Sequence, residues 1–372
     1  MRLLYFINSI TNSGGIEHIV IDKINYLAGV AGYEVALAYY GSISDKPFYP
    51  IDPRVVLKPM GQQSMKASIF LKIASFVQLP QRLIRIIDDV NPDVIVNANT
   101  ILVSWLLPFV RRNIPKIVEL HFSYVGMKII SEEMYGRNWV KKEFNYLLRK
   151  FGYLLYDRCV MLTDEDMRDW RFKNAIVIPN FTNIPPIDYN LSEKQNIVVN
   201  VGRLAAPKNQ TMLVDAWKMV NEKKPDWKLE IWGDGVLHDN LSNQISDLGL
   251  EGKVNLMGVS NHIEKVYQYA SFFVLSSRYE GHPLVLIEAL QSSLPCVCFP
   301  VNGVRGTIKN GENGYIIEEM TAEALSNGIL KMIEHARDIP AMAQKARESA
   351  NNFDKEKIMK RWIDLFEYLL SA

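Results

Sequence analysis

Short runs of apolar, largely β-branched residues alternate along this chain with stretches whose apolar positions recur at helical spacing. Residues 3–7 are apolar throughout and predict a buried strand, whereas 16–27 spaces its apolar residues as a helix does. Further strands are predicted at 34–40, 93–97, 116–121 and 158–163. Strands apolar on both faces and separated by helices imply βαβ units and a parallel sheet. At 185–194 the rhythm loosens into a polar, proline-bearing stretch with the character of a linker. It then restarts, with strands predicted at 196–201, 228–232, 253–257, 272–275, 295–299 and 314–317, and helices beginning near Lys208, Val236, Pro283 and Thr321. Residues 354–370 are amphipathic, with Trp362, Leu365, Phe366 and Leu369 as the apolar stripe. The pattern predicts an α/β chain of two Rossmann-like, doubly wound domains, for which 372 residues suffice. In such sheets ligands sit beyond the carboxyl ends of the strands, so the expected site is a cleft between facing domains.

Composition narrows the possibilities. With 48% hydrophobic and 22% charged residues the chain is no disordered segment. A net charge of +1 argues against nucleic-acid binding. Three cysteines, Cys159, Cys296 and Cys298, give neither a disulfide framework nor a zinc site, which fits a reducing, cytoplasmic setting. The apolar start turns polar at Asn8, too soon for a signal peptide, and the apolar run at 101–110 is broken by Ser104 and Pro108 and is too short to cross a bilayer.

Charge is unevenly distributed. Residues 1–178 carry 22 basic and 17 acidic side chains, net +5, and residues 179–372 carry 20 and 24, net −4. Between 53 and 87 stand Arg54, Lys58, Lys66, Lys72, Arg82 and Arg85 with no acid, interleaved with an apolar set that approximates a helix face. Between 139 and 158, Lys141, Lys142, Arg149, Lys150 and Arg158 alternate with Phe144, Tyr146, Leu147, Phe151, Tyr153 and Tyr156. Each segment admits two readings: a surface for anionic lipid, or an ordinary amphipathic helix with its apolar face in the core. Because both lie in the positive half, the expectation is a partner membrane surface, with Lys66, Lys72, Arg82 and Arg85 forming the acceptor and lipid side.

Three motifs follow predicted strands. Gly14-Gly15 opens a helix after a polar loop, where bare amides and the helix dipole can receive an anion, or where the chain simply turns. Gly202-Arg203, with Lys208 five positions on, places two cations beside a helix start, a grip suited to a diphosphate. In Arg278-Tyr279-Glu280-Gly281-His282-Pro283-Leu284-Val285-Leu286-Ile287-Glu288, Pro283 is suited to the first helical position and leaves the amides of Leu284 and Val285 free for a phosphate. Glu288 lies a turn deeper in apolar surroundings and needs a partner, while Glu280 stands across the same anion position. Two carboxylates flanking a diphosphate match a sugar nucleotide. The P-loop and dinucleotide fingerprints are absent: the only Gly-x-Gly, Gly233-Asp234-Gly235, has His238 where a third glycine belongs.

The Glu280-to-Glu288 block, with Gly202-Arg203, Lys208-Asn209 and Gly14-Gly15-Ile16-Glu17, resembles retaining glycosyltransferases of the GT-B fold, in particular family 4, over nearly the whole chain. The resemblance implies an acceptor domain at 1–185 completed by a crossover helix at 354–372, and a nucleotide-sugar domain at 186–353. It implies that Arg203 and Lys208 hold the diphosphate, Glu288 the ribose, Glu280 the donor sugar, the Leu284 and Val285 amides a phosphate, and Gly258 the base. Gly15 would lie against the donor, and His121 near the reacting sugar, making Glu280, His121, Arg203 and Lys208 the catalytic set. His282 and His18 depart from the family pattern and bear on which sugar or acceptor is used. The implied reaction transfers a sugar from a nucleoside diphosphate sugar, UDP favoured and GDP an alternative, to a hydroxyl of a saccharide acceptor that is lipid-linked, in surface polysaccharide synthesis at the inner face of the membrane. No cofactor or metal is expected, because no Asp-x-Asp pair suited to bridging a diphosphate through Mg²⁺ is seen. A sugar-nucleotide epimerase of the same fold and a noncatalytic sugar-nucleotide-binding subunit are the alternatives.

Overall fold

The computed structural model describes residues 1–61, 69–98 and 101–371. They form two compact units, Met1–Asn180 with Glu356–Ala372, and Phe181–Lys355. In unit 1 seven strands run parallel: β1 (Arg2–Ile7), β2 (Glu34–Tyr39), β3 (Val56–Pro59), β4 (Val94–Asn97), β5 (Lys116–Leu120), β6 (Arg158–Met161) and β7 (Ala175–Val177). Their spatial order is β3-β2-β1-β4-β5-β6-β7, so the winding reverses between β1 and β4. β1, β2, β4 and β5 are buried almost throughout, as a parallel sheet covered on both faces requires. The edge strands β3 and β7 were not predicted. β3 lies within the basic stretch read as a helix face, and the helix described there spans Ile69–Val90.

The Lys355–Ser371 helix buries Trp362, Leu365 and Phe366 of the predicted stripe within unit 1, while Leu369 is half-buried. The Lys23 ammonium lies 4.2 Å from the Trp362 ring centroid, and Arg361 donates to the Val177 carbonyl.

Unit 2 has six parallel strands, β8 (Ile197–Val201), β9 (Lys228–Trp232), β10 (Val254–Gly258), β11 (Phe272–Leu275), β12 (Cys296–Cys298) and β13 (Gly314–Ile316). The order is β10-β9-β8-β11-β12-β13, and the reversal falls between β8 and β11. One face is filled by Leu213, Trp217, Leu229 and Leu325, the other by Tyr267, Phe273, Leu286 and Leu290. The predicted helix starts fall close to the observed Gln210–Lys223, His238–Asp247, Leu284–Gln291 and Ala322–Glu334, the last capped by Thr321, whose hydroxyl accepts from Ala324 N at 3.1 Å. Each sheet has the doubly wound topology that the sequence pattern predicts.

Candidate functional site

The reversal between β8 and β11 positions the loops that follow them side by side. Gly202 N donates to Trp232 O at 2.9 Å and Leu204 N to Asp234 O at 3.0 Å, so the loop after β8 is laced to the loop after β9. Glycine is required at the contact: a Cβ on Gly233 would lie 2.1 Å from the Gly202 carbonyl oxygen, and one on Gly235 would lie 2.4 Å from that of Leu204. The Gly233-Asp234-Gly235 run is thus explained by backbone packing.

From the other side, the loop after β11 is tied to the same segment. Ser276 Oγ donates to Lys208 O at 2.9 Å, and Arg278 N donates to Pro207 O at 2.8 Å. The side chains complete the joint. Lys208 Nζ lies 2.6 Å from Glu280 Oε1, which also accepts from Ser277 Oγ at 2.6 Å. With side-chain exposures of 25% and 13%, the Lys208–Glu280 pair remains in reach of a ligand. Arg203 is exposed, its backbone fixed by Gln210 Nε2 donating to its carbonyl at 3.2 Å. Arg203 and Lys208, five positions apart in one short loop and the latter pre-set by a carboxylate, are cations that can receive a dianion.

The helix beyond begins at Leu284, one residue later than predicted, with Pro283 as its extended N-cap at φ −70° and ψ 112°. The Leu284 and Val285 amides are the first of that helix and have no carbonyl one turn earlier within it to bond. Glu288 is buried and accepts from Tyr267 Oη at 3.2 Å, a partner its apolar sequence context demanded. His282 is buried against the Phe353 ring, 5.1 Å between centroids, and a Cβ on Gly303 would meet its Cδ2 at 2.5 Å. Burial lowers the His282 pKa to about 4, so it is a neutral packing residue at pH 7. Gly258 is the last residue of β10, not the residue after it, and sits at φ +71° with its carbonyl accepting from Gly233 N at 2.7 Å.

Gly15 and His121 belong to unit 1. Gly15 is the first residue of the Gly15–Gly29 helix, and Glu17 folds back so that a Cβ on Gly14 would lie 2.3 Å from its Oε2. A carboxylate of the chain itself therefore already stands at this helix start. His18 stacks on Tyr49 with ring centroids 4.5 Å apart. His121 follows β5 and is buried, with Nε2 3.1 Å from Glu119 Oε2. The two residues stand two apart along the chain and so share a face. Glu119 also pairs with the buried Lys23. Burial alone would raise the Glu119 carboxyl, but the charge of Lys23 and the charge and hydrogen bond of His121 reverse this and hold it at about 2. Sequence reasoning missed this triad, although a glutamate flanked by Val118 and Leu120 in a buried strand was a signal.

Of the predicted acceptor and lipid surface, Lys66 lies outside the described residues, as does the side chain of Lys72. Arg82 donates to Met60 O at 2.9 Å and Gln78 Oε1 at 3.0 Å, and Arg85 is exposed. Leu79, Leu83 and Ile87 of the same helix are buried in the core. In its described part this helix is therefore an ordinary amphipathic one. Among the described residues no group of three or more His, Cys, Asp or Glu could hold a metal ion. Asp166, in the acidic first turn of the Asp164–Trp170 helix, is occupied by Tyr124 N at 2.8 Å.

Residues 186–353 match the model of the family described as glycosyl transferases group 1. Over 97% of its length the chain is 28% identical to an uncharacterized glycosyltransferase of Haemophilus influenzae, covering 98% of that protein. It is also 28% identical to the amylovoran biosynthesis glycosyltransferase AmsD of Erwinia amylovora, over 98% of this chain and 99% of that one. A 251-residue stretch, 62% of this chain and 66% of the relative, is 32% identical to the N-acetylgalactosamine-N,N'-diacetylbacillosaminyl-diphospho-undecaprenol 4-alpha-N-acetylgalactosaminyltransferase of Campylobacter jejuni. Among solved structures, sucrose-phosphate synthase of Thermosynechococcus elongatus superposes with a TM-score of 0.83 at 18% identity, covering 100% of this chain and 99% of that one. Anabaena HepE in complex with UDP does so with 0.78 at 18%, covering 99% and 100%.

Proposed function

We propose that this group 1 glycosyltransferase, whose residues 186–353 carry the family's domain, moves a hexose or related sugar from a nucleoside diphosphate sugar to a saccharide hydroxyl with the anomeric configuration kept. One observation carries the donor side: at the β8/β11 reversal, Arg203, the Lys208–Glu280 pair and the first amides of the Leu284–Gln291 helix come from loops stitched to one another. A diphosphate fits such a place, because fixed cations and helix-start amides meet its charge without reorganising.

In the proposed reaction the bond between the anomeric carbon and the phosphate oxygen breaks with its electron pair leaving on the diphosphate. The acceptor oxygen bonds the same face of that carbon, and its proton passes to the leaving phosphate oxygen. Arg203 and Lys208 stabilise the charge that develops, Glu288 and Tyr267 serve the ribose side, and Glu280 the donor sugar. His121, held by Glu119, is the residue that the family resemblance assigns to the reacting sugar. No metal step enters this scheme. UDP is the favoured nucleotide, supported by the complex of HepE with UDP, and GDP is the alternative. A lipid-linked acceptor in surface polysaccharide synthesis is supported by the diphospho-undecaprenol in the name of the Campylobacter relative. No described helix is long and apolar enough to cross a membrane.

The test is incubation with a panel of labelled sugar nucleotides and saccharide acceptors. Transferred sugar with released nucleoside diphosphate supports the proposal. An epimerised donor without transfer, or binding without turnover, refutes it in favour of an isomerase or a noncatalytic subunit.

A further inference from the structure

Helices in unit 1 normally turn their apolar side inward, and the Trp139–Leu154 helix does so only in part. Its inner side is fixed: Tyr146 stacks on Trp170 with centroids 5.7 Å apart, Tyr153 packs edge-on against the same ring at 5.8 Å, and Gly152 lies so close to Trp105 that a Cβ would meet Cζ3 at 2.8 Å. Yet Val140, Phe144, Leu147, Phe151 and Leu154, spaced four, three, four and three residues apart, are 57%, 66%, 54%, 60% and 44% exposed. That spacing makes one continuous stripe along the helix, and Leu148 widens it. At the turn joining this helix to the preceding Tyr124–Tyr135 helix, Met134 and Trp139 are 63% and 71% exposed beside Arg137.

Such a face, contiguous and pointing away from a well-packed inner side, marks an interaction surface. Its occupant is indicated by charge. Lys141 and Lys150 border the stripe on opposite sides, and between 128 and 150 six cations (Lys128, Arg137, Lys141, Lys142, Arg149, Lys150) face three acids, Glu132, Glu133 and Glu143. A second copy docked face to face would bring these excess cations together, whereas an anionic surface neutralises them. Aromatic and aliphatic side chains rimmed by lysine and arginine, with a tryptophan at the turn, are the composition of a helix lying in a lipid headgroup layer.

We propose that the Trp139–Leu154 helix and its turn are the element by which this protein seats itself on an anionic lipid bilayer, inserting Trp139, Phe144, Leu147 and Phe151 to the depth of the headgroups. The inference deepens the reading of a lipid-linked acceptor by naming the surface on which the protein would meet it, and rests on that reading for its purpose but not for its physics.

The experiment is co-sedimentation with phosphatidylcholine vesicles with and without 30% phosphatidylserine, at about 0.1 M and 1 M salt, where the Debye length falls from about 10 Å to about 3 Å. Wild type should pellet with the anionic vesicles and be partly released by salt. Phe144→Gln/Leu147→Gln/Phe151→Gln should lower the partition coefficient at least tenfold at low salt, and Lys141→Gln/Lys150→Gln should remove mainly the salt-sensitive part. Arg82→Gln/Arg85→Gln should leave it unchanged. Trp139 emission should be quenched by brominated lipid, read as the difference from Trp139→Phe. The variants of the Trp139–Leu154 helix should release nucleotide in solution at the wild-type rate, so that failure of the glycosyltransferase reading would show as no turnover in wild type or any of them with wild-type vesicle binding intact. Equal pelleting of wild type and the triple apolar variant, or a self-associated species in the absence of lipid that the triple variant abolishes, overturns the proposal.

Discussion

Replacing Lys23 by methionine removes one side of a fully buried ion pair and tests whether the Lys23–Glu119–His121 triad holds unit 1 together. Lys23 and Glu119 are 2% and 0% exposed, so the glutamate left behind has no route to water. Breaking a buried pair by deleting one partner costs about 3–5 kcal/mol, which for a domain of this size lowers Tm by roughly 6–20 °C. The dependence on pH is more diagnostic. In the wild type Glu119 is held at about 2, below the ~4.3 of an unfolded glutamate, which contributes about 3 kcal/mol above that pH and is lost as pH falls toward about 2. Lys23 subtracts from this, because burial lowers its own pKa against the opposing pull of Glu119. In the variant the Lys23 charge and hydrogen bond are gone while His121 still lowers the Glu119 carboxyl against burial, so the folded-state value moves up toward the unfolded one. The stability lost on acidification is therefore smaller in the variant, and its slope below about pH 4 shallower than that of the wild type. Thermal unfolding followed calorimetrically from about pH 2.5 to 8 measures both effects, and Lys23→Met/Glu119→Gln should recover at least half the loss by removing the stranded charge. A variant that unfolds within about 1 °C of wild type with the same slope would refute the reasoning.

Arg203→Ala or Lys208→Ala should each reduce steady-state turnover at least about tenfold with unfolding unchanged, charged hydrogen bonds being worth ~1.5–3 kcal/mol, and activity should persist in excess EDTA. By calorimetric titration, Glu288→Ala should weaken binding of free nucleoside diphosphate, whereas Glu280→Ala should weaken chiefly the intact sugar nucleotide; equal losses for both ligands would remove the division of roles. His282, lowered to about 4 by burial, should confer stability that is complete above pH ~6.5 and declines as pH falls toward about 4, a dependence that His282→Phe should flatten in the same calorimetric series.

The central strands were legible because each is a short, mostly apolar and largely β-branched run of the kind a doubly covered sheet uses. β3 and β7 were not, being edge strands of four and three residues, and β3 includes Lys58 and Pro59. The loops after β8 and β11 were legible as places for chemistry, since they follow strands and open helices. Their mutual pairing was not: Lys208 and Glu280 are 72 residues apart, and local pattern says nothing about which two loops share a sheet reversal. The same holds for Lys23 and Glu119, 96 residues apart, where only the oddity of charge in apolar runs could have drawn attention. In the two basic segments composition was similar and outcome opposite. The described part of the Ile69–Val90 helix buries Leu79, Leu83 and Ile87, while the Trp139–Leu154 helix spends its inner face on tyrosines and leaves its phenylalanines outside.

The return of the Lys355–Ser371 helix to unit 1 has a bearing on biosynthesis. Phe181–Lys355 is, in connectivity, an insertion of 175 residues between the seven-stranded sheet and the helix that completes its core. At translation rates of about 5–20 residues per second, all seven strands exist for roughly 10–35 s before Trp362 and Phe366 are made. During that interval the patch they cover is bare, and the Lys23 ammonium lacks the ring beneath which it is later enclosed. The inserted unit, whose chain is contiguous, can finish folding first. The nascent protein is thus built from the inside of its sequence outward, and its first-made unit is the last to be sealed.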